Sequence, residues 1–255
     1  MENVVVETRD RVARIEIARL DKKNALTGAM YDAMADALAA AEADAQVRAI
    51  MIHGARDCFT AGNDLKDFLA RGASGGPSAA FRFISSLPTL QKPLVAAVGG
   101  AAVGIGTTML LHCDFVYASP GARFHMPFVS LGLVPEAASS LLLPMVAGYQ
   151  RAAELLLLAR PFDAAKAHAA GIVTEIVPES ELLERARDTA LALAALPAAS
   201  VRLSKQLLKR QLGGLIAAQM EEERRHFSAQ LGSPEAKEAM TAFFEKRKPD
   251  FTKFS

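Results

Sequence analysis

β-Branched and other apolar residues run over Val4 to Glu7 and again over Val12 to Ala18, and the polar Arg9-Asp10-Arg11 separates the two runs. The pattern predicts a β-hairpin. Three- and four-residue spacing then takes over, with Met30, Met34, Ala37, Leu38 and Ala41 recurring behind a capping threonine, Thr27, and predicts a helix ending near Asp44. Ala49 to His53 reads as a buried strand. Gly54 to Asp57 turns the chain, Cys58 to Ala61 leads into a glycine, and a short helix is expected from Asp64 through Leu69, before a loop from Arg71 to Ser78. The alternation then repeats: a helix over Phe81 to Leu90, a strand over Leu94 to Val98, and a helix over Val103 to His112 entered through Gly99, Gly100, Gly104 and Gly106. Short strands are expected at Asp114 to Ala118 and Ala122 to His125, after which the pattern is helical from Glu136 onward, Ile172 to Val177 excepted. Strand–helix units followed by a block of helices predict an α/β core with a C-terminal helical region, the boundary falling between Ile176 and Glu181. No internal sequence repeat is distinct enough to count.

The chain has 255 residues, 51% of them hydrophobic, enough to bury a large core. Twenty-nine Lys and Arg against 28 Asp and Glu leave a formal net charge of +1, so no global field draws it to nucleic acid or an anionic membrane. Any anion site must be local. Cys58 and Cys113 are the only cysteines and read as small buried hydrophobes. The five histidines show no metal-ligand spacing. No apolar run reaches the roughly 18 residues of a membrane span, and the N-terminus lacks a basic region preceding an apolar one, so a cytoplasmic protein is expected.

Three segments carry candidate chemistry. Phe59-Thr-Ala-Gly-Asn-Asp-Leu-Lys-Asp-Phe68 and Lys92-Pro-Leu-Val-Ala-Ala-Val-Gly-Gly-Ala-Ala-Val-Gly-Ile-Gly106 each read as strand, glycine turn, helix start. Two such turns can aim main-chain N–H groups at one oxygen and stabilise negative charge there. Gly99 to Gly104 has a superficial likeness to a dinucleotide fingerprint, but the acidic residue expected about twenty positions later is absent. In the third segment, Leu131-Gly-Leu-Val-Pro-Glu-Ala-Ala-Ser-Ser140, small apolar residues surround Glu136. Taken alone, Glu136 also fits a solvent-facing residue in a first helical turn behind Pro135, favoured by the helix dipole.

In this order, and with the ending Met240 to Phe251, these motifs resemble the enoyl-CoA hydratase/isomerase (crotonase) superfamily over nearly the whole chain. The resemblance implies a ClpP-like α/β spiral of β-β-α units over residues 1–178, a C-terminal helical oligomerisation region over 179–255, and a homotrimer or a dimer of trimers. It implies an acyl-CoA thioester as substrate, with no metal or redox cofactor. The thioester oxygen would be held by the N–H of Asn63 and that of Ile105, with Gly104 as the alternative second donor; the Ile105 side chain would narrow the pocket. Lys22 and Lys23 would face the CoA nucleotide or its phosphates, Ala61 and Leu65 would line the channel, and Phe244 and Lys248 would approach CoA from the chain's end. Hydratases of the superfamily usually present two glutamates, at positions that read Thr108 and Phe128 here. Glu136 instead matches the single base of the peroxisomal-type Δ3,Δ2-enoyl-CoA isomerases. The resemblance therefore implies an isomerase of fatty-acid metabolism, with a 2-enoyl-CoA hydratase (a lyase of β-oxidation) and a non-catalytic CoA-ester-binding pseudoenzyme as alternatives. Some members of the superfamily bind RNA, but this chain has no basic stripe that would favour it.

Overall fold

The computed structural model describes residues 3–55, 57–65, 67 and 78–254. Val4–Arg9 (β1) and Val12–Ile17 (β2) form the expected antiparallel hairpin, Val4 opposite Ile17, with Asp10 and Arg11 both left-handed in the turn. Ala49–His53 (β3) and Cys58–Thr60 (β4) follow, then Leu94–Val98 (β5) with Ala101–Val103 (β6), and Phe115–Ala118 (β7) with Arg123–His125 (β8). In each of these three pairs the first strand enters a six-stranded sheet and the second a four-stranded sheet. The orders are β1-β2-β3-β5-β7-β10 and β4-β6-β8-β9, where β9 is Phe162–Asp163 and β10 is Glu175–Ile176. Neighbouring turns of this β-β spiral pair in parallel in both sheets, so the chain leaves β4, β6 and β8 at one common edge. The C-terminal edge of parallel strands is where α/β folds place their ligand loops.

Helix α1, Gly28–Ala43, is capped by Thr27, whose hydroxyl accepts from the Met30 N–H, and it buries Met30, Met34, Leu38 and Ala41 as its spacing requires. Further helices are Ala79–Ser86 (α2), Ile105–Thr108 (α3), Ser139–Ala147 (α4), Tyr149–Leu157 (α5), Ala164–Ala169 (α6), Leu182–Ala195 (α7), Ala198–Lys209 (α8), Gly213–Leu231 (α9) and Pro234–Phe244 (α10). Helix α7 buries Leu182, Ala186, Ala190 and Ala194 against Val12, Met51, Val95, Ala97 and Tyr117 on one face of the large sheet. Among the described residues no helix is long and apolar enough to cross a membrane.

Three expectations about local structure are corrected. Val103 to His112 is not one helix: residues 101–103 are strand β6, α3 is a single turn, and Met109–His112 continue as a 3-10 turn. Helix does not begin at Glu136 but at Ser139, because Ala137 and Ala138 are both left-handed, with φ of 60° and 54°. The two-residue strand β9 was not foreseen, being too short to leave a periodic signal. The short helix expected from Asp64 is seen at Leu65 and Asp67; its remainder, and the loop expected from Arg71 onward up to residue 77, lie outside the described residues.

Helix α8 is tied to the core through a buried cation. Lys205 Nζ donates to the Lys92 carbonyl at 2.7 Å and lies 2.6 Å from Asp114 Oδ2, which also accepts from the Leu94 N–H at 2.7 Å. Asp114 thus fixes the turn into β7. Lys205→Met removes one charge of this pair while keeping the volume, and the expected loss is about 3 kcal/mol, the low end for breaking a buried ion pair. In a chain of this size that corresponds to a thermal midpoint lowered by roughly 6–12 °C; an unchanged midpoint by scanning calorimetry would assign the pair no stabilising role.

Candidate active site

The two glycine turns lie side by side. Gly62 follows β4 with φ +84°, a left-handed backbone, and an added Cβ there would meet the Val103 carbonyl oxygen of β6 at 2.8 Å. From the other turn, a Cβ on Gly106 would meet Thr60 Cγ2 at 2.5 Å. Only glycine permits both approaches, and the result sets Asn63 and Ile105, each the residue that follows a positive-φ glycine, at the same sheet edge. Neither the Asn63 nor the Ile105 N–H has an acceptor among the described residues. The Gly104 N–H, by contrast, donates to the His125 carbonyl at 2.8 Å and is not available. The Ile105 side chain does not narrow a pocket as expected: it is 1% exposed and packs into the main core.

Both turns are braced from behind. The Tyr31 hydroxyl of α1 donates to Asn63 Oδ1, holding the side chain away while the main-chain N–H stays free. Thr60 Oγ1 accepts from the Gly62 N–H at 3.0 Å and donates to the Asn24 carbonyl at 2.7 Å. Asn24 is fully buried, and its Nδ2 donates to the carbonyls of Cys58 and Phe59 at 3.0 and 3.2 Å. Arg19 Nη1 reaches both the Ala25 carbonyl and Asp64 Oδ2, at 2.9 and 2.8 Å. On the other turn, Thr107 Oγ1 donates to the Ala102 carbonyl at 2.6 Å.

Glu136 stands immediately before the left-handed pair Ala137-Ala138, a conformation that costs an alanine roughly 1–2 kcal/mol. The strain is held by partners on both sides. His112 Nε2 donates to the Ala137 carbonyl at 2.7 Å, and Glu223 accepts from the Ala138 and Ser140 N–H groups at 2.6 and 3.0 Å. Burial lowers the His112 pKa to about 4, so the ring is neutral. The donors at the start of α4 are therefore occupied by Glu223, and the Glu136 carboxyl has no hydrogen-bond donor among the described residues. Desolvation, with the nearby Glu223 charge second, pushes the Glu136 pKa up to about 8. This is not the dipole-stabilised glutamate of a first helical turn. Its charge in turn adds to the effect of burial in raising the Tyr31 pKa, which sets Glu136 near the Tyr31–Asn63 pair.

Thr108 is fully buried with its hydroxyl turned to the Gly104 carbonyl, and Phe128 is 4% exposed in the core. Neither is an acid or base at neutral pH. The loop bearing Lys22 and Lys23 runs along the first turn: the Ala61 N–H donates to the Lys23 carbonyl at 3.0 Å and the Leu26 N–H to the Gly62 carbonyl at 2.8 Å, which sets Lys23 beside Ala61; both lysines are exposed and Leu65 is half-buried. Phe244 and Lys248 lie exposed at and beyond the end of α10, and no hydrogen bond or ion pair among the described residues joins them to that loop. Sequence reasoning passed over Asn24, Tyr31, His112 and Glu223. A signal for the last existed: Ile216, Met220, Glu223 and Phe227 share one helical stripe, so Glu223 falls on the buried side of an otherwise charged run. Among the described residues no group of three His, Cys, Asp or Glu side chains is placed to hold a metal ion.

Comparison with known proteins identifies the family. The enoyl-CoA hydratase/isomerase family profile matches residues 7–253. Enoyl-CoA delta isomerase 2 of Rattus norvegicus is 38% identical over 252 residues; the match takes in 96% of this chain and spans 64% of the rat protein's length. A probable enoyl-CoA hydratase of Rhizobium meliloti (strain 1021) is 34% identical over 251 residues, 98% of each chain. The crystal structure of an enoyl-CoA hydratase/isomerase from Pseudoalteromonas atlantica T6c superposes with a TM-score of 0.94 at 43% identity, covering 98% of this chain and 100% of that one. With a β-β spiral, paired glycine turns at one sheet edge and a match running from the first strand to the last residues, this chain belongs to the enoyl-CoA hydratase/isomerase family and has the crotonase fold.

Proposed function

We propose that the protein shifts the double bond of a 3-enoyl-CoA to give the 2-enoyl-CoA. The observation that carries this reading is a single desolvated carboxyl, Glu136, whose charge bears on the Tyr31 that holds Asn63, in a fold that leaves the Asn63 and Ile105 N–H groups without an acceptor among the described residues. The thioester oxygen would accept from the Asn63 and Ile105 N–H groups. Glu136 takes a proton from C2, the electron pair passes through the carbonyl to the oxygen as a dienolate, and the same carboxyl returns the proton to C4 as the double bond settles between C2 and C3. A preformed donor of this kind lowers such a barrier by roughly 3–4 kcal/mol. A base whose pKa lies near the working pH both takes and returns a proton readily. With Thr108 and Phe128 at the positions where hydratases of the superfamily carry glutamates, water has no second carboxylate to activate it.

CoA would enter along the loop at Lys22 and Lys23 and over Ala61 and Leu65, with Phe244 and Lys248 as further contacts. Exposed Leu203, Leu207, Leu208 and Leu215 support assembly as a trimer or a dimer of trimers. The names of the relatives include both isomerases and hydratases, so the deciding experiment compares matched 3-enoyl-CoA and 2-enoyl-CoA substrates by product mass and double-bond position. The 3-ene is expected to become the 2-ene with no mass gain. Rapid addition of water to the 2-ene would instead make this a hydratase working through Glu136.

A further inference from the structure

Helix α9 reaches the turn that carries Glu136 through one side chain. Glu223 is 5% exposed, and its carboxyl accepts from the Ala138 N–H, the Ser140 N–H and the Ser140 hydroxyl. Gln219, one helical turn earlier on the same face, donates from Nε2 to Ser140 Oγ at 2.9 Å and so orients that hydroxyl toward Glu223. His112 holds the opposite side of the same turn at the Ala137 carbonyl. Ala137 and Ala138 are left-handed between these two clamps. A helix start needs only a neutral acceptor such as serine or asparagine; a buried carboxylate is the costlier choice.

We propose that Glu223 is a positioning residue for Glu136: it pins the left-handed turn from which Glu136 projects and sets a second negative charge behind it. The role rests on the reading of Glu136 as the proton carrier. Burial raises the Glu223 pKa, and the hydrogen bonds from Ser140 and Ala138 act against that rise; the Glu223 charge adds to desolvation in keeping the proton on Glu136. The other ionisable groups around it do not compete. His112 is neutral, with its main-chain carbonyl taken by Lys209, and Tyr31 is held protonated by burial. Helix α4 and the Leu87–Thr89 turn bring no ionisable side chain. Helix α10 brings Glu235, Lys237 and Glu238, the last paired with Arg247; on α9 itself Glu221 and Glu222 pair with Arg224 and Arg225.

The test is Glu223→Gln, assayed for isomerisation across pH. At the alkaline plateau kcat is expected to fall at least about tenfold with KM within about twofold, since small misplacements of a catalytic group are this costly. The rising limb of kcat/KM is expected to move to lower pH by about half a unit or more as the second charge is lost. A purely structural role would lower stability and leave that limb in place. Ser140→Ala, which leaves Glu223 with one donor fewer, is expected to cut kcat by about threefold and serves if E223Q does not fold. A limb at its wild-type pH in E223Q, or unchanged kcat in S140A, overturns the proposal. Titration of the Glu136 carboxyl by 13C NMR, its signal identified by loss in E136Q, reads the same shift without turnover, so a failure of the isomerase reading and a failure of the Glu223 role are told apart.

Discussion

Glu136→Gln is expected to lower isomerisation by about 10³-fold, the middle of the range for losing a positioned general base, while acyl-CoA affinity stays within about twofold of wild type. Glutamine keeps the shape and leaves the turn's own hydrogen bonds untouched, since none of them uses the Glu136 side chain. The same residue sets the pH dependence. Glu136 must be ionised to accept a proton, and its pKa is raised to about 8, so the wild-type kcat/KM rises with pH through that value and levels above it. Stability moves the opposite way. The folded chain keeps a proton on Glu136 that the unfolded chain has released above its ordinary carboxyl pKa, so stability is full below that lower value and falls as pH rises toward 8. E136Q lacks this loss, and at pH 9 its thermal midpoint is expected to lie above wild type. Turnover retained in E136Q, or a wild-type profile flat from pH 6 to 9, would remove Glu136 from the mechanism.

The second large effect concerns a main-chain group, which ordinary side-chain exchange cannot delete. Ile105 is the first residue of α3, a position where proline is accommodated because its missing N–H has no helical partner. Ile105→Pro therefore takes away the donor and leaves the turn able to form. Loss of one oxyanion donor is expected to lower kcat by about 10²–10³-fold, with Ile105→Val, which keeps the N–H and most of the buried volume, close to wild type. Equal activities of the two variants in a folded state checked by circular dichroism would place the second donor elsewhere.

The hairpin, α1, β3 and β5 were legible because each is long enough to leave a run: α1 by a three- and four-residue spacing that its burial follows, β3 and β5 as continuous apolar segments buried at every position. The strand-to-helix turns were legible through their glycines, at positions where the neighbouring strand leaves no room for a Cβ. The four-stranded sheet was not. Of its strands, β8 was expected and β4 was read as the run into its glycine, but β6 and β9 have three and two residues, too few for a two-residue alternation to stand out from a loop, and they are held by pairing with other turns of the spiral. The alternation of strands between two sheets, which is the repeat of this fold, accordingly left no repeat in the sequence.

For the site, the sequence by itself determined which groups were present: two glycine turns able to free an N–H, one glutamate among small apolar residues, and no carboxylate at Thr108 or Phe128. Tertiary structure decided what those groups are. Glu136 became a high-pKa carboxyl because burial strips it of water, with the Glu223 charge second, and it is not a helix-capping one because Glu223, 85 residues beyond Ala138 in sequence, occupies the Ala138 and Ser140 N–H groups at the start of α4. Ile105 and not Gly104 holds the free donor because β8 takes the Gly104 N–H. Both outcomes depend on which hydrogen-bond partners arrive from distant segments and on how much water they exclude. Local sequence carries neither quantity, since each is settled only when the sheet edge and helix α9 close around the turn.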